Sequence, residues 1–469
     1  MVESKKQHLV AVVGAGPAGI YATRKLNEAG HVVLLLNRDI KPGGLAEYGI
    51  FLDKEKMKEG LRKQFKRILA DPKVFYFGHV TVGQGKSIAL EDLQKIGFSA
   101  VIVSAGAQGT KKLGIPGEEC LGVYHAKDVV YHYNKLPPFS QRPFEVGERV
   151  AVIGMGNVMV DVANWLLNYK KVKEVTIVAR RGPKEKAYDD SEFEVIEDYL
   201  DHEDMRRELQ RIRPNLEAVG QNVDEILTGY QKTESPSDHI LRFRYLCSPH
   251  RVIPSADGSV GALEIEFNEL VLDGQKTVAK GLGRYSQIDL DCVIYAIGDQ
   301  VDAGIGLPFS RGAFVTNPEK LPGDPNPASY QAFDPEAKKV LEGIYLVGWS
   351  RNASVGLVGV AKQDAERGMK VINQNLAKKQ GFSVEEISQK IESLTAVLEK
   401  SRVPFVTKAD VELLEAVEKE EARKRKTWEY KFSADEEMFS VISAQKAARS
   451  GASAQAALAV GEMAKLEQS

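Results

Sequence analysis

Two glycine turns, each closing an apolar strand and opening a helix, constrain this chain more than any other feature. The first is VAVVGAGPAG, from Val10 through Gly14 and Gly16 to Gly19. The second is VAVIGMGNVMVDVA, from Val150 through Gly154, Gly156 and Asn157 to Ala163. Such a turn aims backbone N–H groups and the positive end of a helix at one point, an arrangement suited to a pyrophosphate. One turn of this kind binds a dinucleotide. Two suggest electrons passing between a pair of cofactors.

In the first turn Gly14 permits the tight bend, Gly16 admits a phosphate and Gly19 lets helix and strand pack, with Ala15, Pro17 and Ala18 between them. The GxGPAG variant favours FAD over NAD; a purely structural turn is the alternative. After the second strand, His31–Leu36, an acid usually bonds the adenosine ribose, and here that place is taken by Asn37 and then Arg38. Asparagine can bond a hydroxyl without charge. Arg38 would suit a 2′-phosphate, which keeps NADP as an alternative at this site.

The second unit runs through strand Arg149–Ile153, helix Val158–Asn168 and strand Glu174–Ala179. It places Arg180 and Arg181 where an NAD enzyme carries an acid. Two guanidinium groups suit the dianionic 2′-phosphate of NADPH, and a solvated surface pair is the plainer reading. A third signal is GIYLVGWSRNASVGLVGVAKQDA. A strand, Gly343–Val347, ends at Gly348, and a helix is expected to begin near Gly359. A helix N-terminus there would favour negative charge on a reduced flavin. Trp349 would be an aromatic wall or a buried structural residue.

With 469 residues the chain can hold two or three cores. A net charge of -2 gives no pull toward nucleic acid or an anionic membrane. No apolar run nears the roughly 20 residues of a membrane span, and MVESKKQHLV leads directly into the first strand, so no secretory signal is expected. The expected fold is α/β: two Rossmann-like three-layer nucleotide-binding domains with a helical C-terminal extension. An FAD domain of residues 1–108 and 338–469 is interrupted by an NAD(P) domain of residues 109–337. Pro183–Ser237 reads as a polar insertion, Leu307–Pro335 as a return linker and Ser443–Leu466 as an alanine-rich tail.

Cys120, Cys247 and Cys292 are far apart and the histidines are dispersed, so neither a local redox disulfide nor a metal site is expected. A cytoplasmic setting fits. A basic helix (Lys54, Lys56, Lys58, Arg62, Lys63, Lys66, Arg67) and the run Arg423–Lys426 read as solvated faces or as docking surfaces for an acidic partner.

Taken in order, GAGPAG, PGGLAEYG, SAGAQGTKKLGIPGEECLGVYHAKDVVYHYNKLP, GMGNVMVDVA, ARRGP, LRFRYLCSP and GWSRNASVGLVG resemble the adrenodoxin reductase family over nearly the whole chain. These are glutathione-reductase-like ferredoxin–NADP reductases, related to the glutamate synthase small subunit. The resemblance assigns Gly14, Gly16, Gly19, Leu45, Trp349 and Gly356 to FAD, and Gly156, Asn157, Val158, Arg180, Arg181 and Glu192 to NADPH. Gly44, Ala105, Gly106, Gly154, Leu357 and Val358 complete the candidate cofactor set. The chain departs from the family at Asn37 and RNASVG, and at Lys54, where many members carry a histidine near the flavin.

The expected activity is transfer of electrons between NADPH (NADH possible) and a ferredoxin-like iron–sulfur protein or iron–sulfur subunit through FAD. The cofactors carry the hydride step, so no catalytic side chain is needed. An FAD subunit of a larger redox complex and a non-catalytic nucleotide-binding regulator are the alternatives.

Overall fold

A computed structural model describes residues 7–230, 238–319, 329–353 and 358–449. It divides into two compact units: Met1–Gly109, Tyr133–Gln141 and Asp299–Ser469 form the first, Thr110–His132 and Arg142–Gly298 the second. The return point lies at 298/299 rather than the expected 337. The physical reason is burial: Val301, Ile305, Leu307 and Phe314 join Leu9, Leu34 and Val101 in one core of the first unit. The Pro- and Gly-rich stretch after Gly298 therefore begins as core wall, and residues 320–328 of it lie outside the described residues.

The first unit is built on a six-stranded sheet in the order Gln331–Asp334, Lys339–Leu346, Ala100–Val103, Leu9–Val13, Val32–Asn37, Val74–Gly78. All pairings are parallel except the edge hairpin of the first two strands. Leu9–Val13 and Val32–Asn37 are buried at every residue because helices cover both faces. Helices Pro17–Glu28 and Val358–Leu376 supply Ile20, Leu26, Met369 and Ile372 to one face. Leu90–Ile96 and Val384–Lys400 supply Leu93, Leu394 and Leu398 to the other.

The C-terminal extension is helical, as expected. Val384–Lys400 and Lys408–Arg425 each open on a capping box, Ser383 with Glu386 and Thr407 with Asp410. Residues 435–449 are also helical, and Met438 and Ile442 reach the first core. The rest of the alanine-rich tail lies outside the described residues.

The second unit carries a parallel five-stranded sheet in the order Val123–His125, Cys292–Tyr295, Arg149–Ile153, Glu174–Ala179, Ile240–Tyr245. A three-stranded antiparallel sheet, Cys247–Pro254, Val260–Asp273 and Lys276–Asp289, packs Val252, Leu263 and Ile265 against Ala151, Ile153 and Tyr295. The polar insertion contains helices Asp190–Glu197, His202–Ala218 and Val223–Leu227.

His125, at the end of its strand, is buried, accepts from the Lys127 N–H at 3.2 Å and donates to the Gly298 carbonyl at 3.3 Å. Burial, reinforced by Lys127, pulls its pKa down to about 4. The fold thus holds the neutral ring, whereas an unfolded histidine titrates near ~6.5. Its contribution is complete above that value and declines as pH falls toward 4. Thermal unfolding of wild type against His125→Asn should show the wild type losing more of its Tm between pH 6.5 and 4; parallel profiles would refute this.

Candidate functional site

In the first unit, strand Leu9–Val13 ends at Gly14, whose φ of +103° and N–H bond to the Leu36 carbonyl (2.8 Å) make the turn. A Cβ at Gly14 would stand 2.6 Å from the Ser104 carbonyl oxygen. Ser104 Oγ donates to the carbonyls of Val13 (3.0 Å) and Gly14 (2.9 Å). A Cβ at Gly19 would overlap the Gly14 oxygen, but at Gly16 it would meet nothing within 4 Å. Gly14 and Gly19 are therefore packing residues, and Gly16 faces open space.

Helix Pro17–Glu28 starts at Gly16 with Pro17 in its first turn, no side-chain cap and no acidic residue there. Its leading N–H groups and positive end stay available to an anion. Three distant segments close around this turn. Gly43 donates its N–H to the Ala15 carbonyl at 2.7 Å, and a Cβ on Gly44 would stand 2.9 Å from Gly16 Cα. The short helix Leu45–Tyr48 follows. Ala105 Cα lies 2.8 Å from the place of a Gly14 Cβ, with Gly106 next to it in a left-handed conformation.

Gly348 (φ +65°) lies so near Ala18 that its Cβ would be 2.5 Å from the Ala18 methyl. The Gly348 N–H donates to Asp364 at 2.6 Å, and the same carboxylate accepts from Arg351 at 2.5 Å. The Arg351 guanidinium in turn covers the Tyr330 ring at 4.1 Å. Trp349 is half-buried, and Ser350 is fully buried with no partner for its hydroxyl among the described residues. Val358 opens the described helix, whereas Gly356 and Leu357 lie outside the described residues.

Asn37, expected at the ribose, is held by the protein itself. Its Oδ1 accepts from the Ala15 N–H (3.0 Å), while Nδ2 faces the Asp39 and Lys41 carbonyls and the Tyr76 hydroxyl. Both amide hydrogens are committed, and at most one accepted bond remains. Arg38 beside it is tied to Asp39 (2.8 Å) and Gln108 (3.0 Å).

The second unit repeats the construction. Gly154 has a φ of +127°, donates to Val178 at 3.0 Å and would carry its Cβ into the Ala296 carbonyl. Gly156 faces open space and starts helix Asn157–Asn164, which has no side-chain cap and no acid in its first turn. The third position of this turn is the fully buried Met159. Asn157, expected at the cofactor, makes a reciprocal pair with Asp189: Nδ2 donates to the carboxylate and Oδ1 accepts the Asp189 N–H, each at 2.9 Å. With Ala187 N–H bonded to the Met155 carbonyl at 2.8 Å, the loop after ARRGP is stitched to the glycine turn. Arg180 is exposed and Arg181 half-buried, neither with an ion-pair partner among the described residues. Val158 is exposed, and Glu192 is half-buried on helix Asp190–Glu197.

Sequence reasoning missed Ser104, Asp189, Arg351 and Asp364. Ser104 and Asp189 find their partners in distant segments, and Arg351 and Asp364 lie within one motif but are joined only by the fold, so no local spacing singles them out. The basic clusters divide. Lys56, Lys63, Lys66 and Arg67 are exposed, but Lys58 is fully buried and Arg62 bonds Glu47. Arg423 and Lys424 pair with Glu420 and Glu421.

Residues 8–239 match the pyridine nucleotide-disulphide oxidoreductase family. The chain is 30% identical over 455 residues to the NADPH-ferredoxin reductase FprA of Mycobacterium tuberculosis, covering 88% of this chain and 94% of that one. The chain belongs to the NADPH-ferredoxin and adrenodoxin reductase family. This family member is also 27% identical over 463 residues to the mitochondrial NADPH:adrenodoxin oxidoreductase of Salvelinus fontinalis, covering 89% of this chain and 87% of the other. Its fold matches the solved structure of Mycobacterium tuberculosis FprA in complex with NADPH, with a TM-score of 0.77 and 27% identity over 93% of this chain and 100% of that chain. Among the described residues of this reductase-family chain, no helix is long and apolar enough to cross a membrane.

Proposed function

We propose that the chain is an FAD-dependent reductase that moves electrons between NADPH and a ferredoxin-like iron–sulfur protein. The observation that carries this reading is a pair of uncapped glycine-turn helices, one in each compact unit, of which only the second is followed by arginines without ion-pair partners. Arg38, at the matching place in the first, is paired with Asp39. That contrast favours FAD in the first cradle and NADPH in the second.

The open space at Gly16, the uncapped helix end and the orphaned Ser350 hydroxyl fit a dinucleotide whose ring edge is polar. Gly16 and the leading N–H groups of helix Pro17–Glu28 would receive the pyrophosphate there. Gly44, Leu45, Ala105, Gly106, Gly348 and Trp349 would surround the rest, with Asp364 fixing the Gly348 turn. When bound, the flavin supplies the conversion between hydride and single-electron transfer. In the second cradle Gly156 and Val158 would face the pyrophosphate and Arg180 and Arg181 would hold the 2′-phosphate, with Glu192 on the adjoining helix. No side chain of this chain has to hold the transferred hydride.

The relatives' names, NADPH-ferredoxin reductase and NADPH:adrenodoxin oxidoreductase, support an iron–sulfur protein as the acceptor here. A cytoplasmic location belongs to the same proposal, supported by three unpaired cysteines. The test is direct: the purified protein should be yellow, NADPH should bleach it anaerobically, and a ferredoxin should be reduced in turn. A colourless folded protein sinks the reading.

The two glycines of the second turn offer a sharper check. Gly156→Ala should fold and keep its flavin, since the added methyl meets no protein atom, yet bind NADPH about tenfold more weakly because it stands in the cradle. Gly154→Ala should instead lose stability, through both the clash at Ala296 and the positive φ. Calorimetry and NADPH titration on both variants separate the roles; equal behaviour would contradict them.

A further inference from the structure

Behind the Gly44–Leu45 loop lies a cluster of buried charges that neither cradle uses. Glu47, on helix Leu45–Tyr48, accepts from Arg62 through both oxygens (2.6 and 2.5 Å), from Lys431 at 3.0 Å, and lies 3.5 Å from Lys41. Glu418 takes Lys41 at 2.5 Å. Glu429 pairs with Arg62, with Lys58 at 3.5 Å and with Lys431 at 3.6 Å. Among the described residues, the four cations Lys41, Lys58, Arg62 and Lys431 form ion pairs with three carboxylates, Glu47, Glu418 and Glu429, one cation more than the anions.

Lys58 is the least accessible member, with a side chain 0% exposed. Its Nζ lies 3.1 Å from Asn134 Oδ1 and 5.4 Å from the Trp428 ring centroid. The charged groups facing it are Lys431 and Glu429 from the C-terminal segment, Glu47 from the short helix and Arg62 from its own helix. Burial and Lys431 pull its pKa down to about 8, against the opposing pull of the two carboxylates.

The cluster is joined to the first cradle by a short, stiff path. Glu47 shares a single helical turn with Leu45, Gly44 caps that turn, and Gly43 and Gly44 rest on Ala15 and Gly16. We infer that Lys58 is a positioning residue for the flavin site, acting through Glu429 and Arg62 on the Glu47 helix and giving the cluster beside that loop an excess of positive charge. This rests on the assignment of FAD to the first cradle. A buried cation favours the more negative, reduced state of a neighbouring group, and little water screens it.

The test is the flavin midpoint potential from pH 6.5 to 9.5 for wild type, Lys58→Gln and Lys58→Arg. At pH 7 the Lys58→Gln potential should be lower, by about tenfold in the oxidised-to-reduced equilibrium, or ~30 mV for a two-electron couple. The wild type should fall toward Lys58→Gln as pH rises through 8, while Lys58→Arg, which stays charged, keeps the upper curve. Three superimposable profiles would overturn the inference. If Lys58→Gln does not fold, divergence of wild type from Lys58→Arg above pH 8 decides alone. Absence of flavin from the wild type would instead refute the assignment of FAD.

Discussion

Replacing Arg180 and Arg181 together by alanine should raise the Kd for NADPH by at least roughly 100-fold and leave NADH within about threefold. Two charge-assisted contacts to a dianion, each on the order of 1.5–3 kcal/mol, set that scale. The asymmetry follows because NADH lacks the group the guanidiniums would hold. Neither arginine has an ion-pair partner among the described residues, so their removal breaks no such pair in the protein. Equilibrium titration with both nucleotides, repeated at high salt, is the measurement. An equal loss for both would mean that the pair acts on the loop rather than on a 2′-phosphate.

Glu47→Ala should lower stability by about 3–5 kcal/mol, the usual consequence of removing one partner from a buried ion cluster. Burial pushes the Glu47 carboxyl up, but Lys431, Lys41 and Arg62 outweigh it and hold it well below the usual carboxylate range. The stabilisation is therefore complete through neutral pH and is lost progressively as pH falls from the ordinary carboxylate range toward that depressed value. Alanine leaves three cations around an empty place, and the helix carrying Leu45 loses its anchor. Denaturant unfolding should report the loss, and flavin should leave the variant faster than the wild type. A cost under about 1 kcal/mol would mean that water solvates the cluster.

Much of this architecture was legible in the chain because its signals are local. Val10–Val13 and Val150–Ile153 are unbroken apolar runs before glycines, as expected of strands covered on both faces. What escaped depends on distant partners. Asn37 occupies the ribose position in sequence, but the Ala15 N–H draws its side chain inward. Asn157 marks the second turn, yet its amide answers Asp189. Lys58 looked like part of a basic face because the carboxylates around it come from residues 47 and 429. Strand Lys276–Asp289 gave no signal because it is an exposed edge with no buried face to impose alternation.

The strand order of the first unit has a consequence for synthesis. Ala100–Val103 pairs on one side with Leu9–Val13 and on the other with Lys339–Leu346. Every strand of the inserted parallel sheet lies between Val123 and Tyr295, so that sheet can close while its host still lacks a neighbour. At about 5–20 residues per second, a translating ribosome leaves Ala100–Val103 as a bare edge for on the order of ten seconds or more. The nascent chain is most open to mispairing during that interval, and a chaperone acting on it would find its target there.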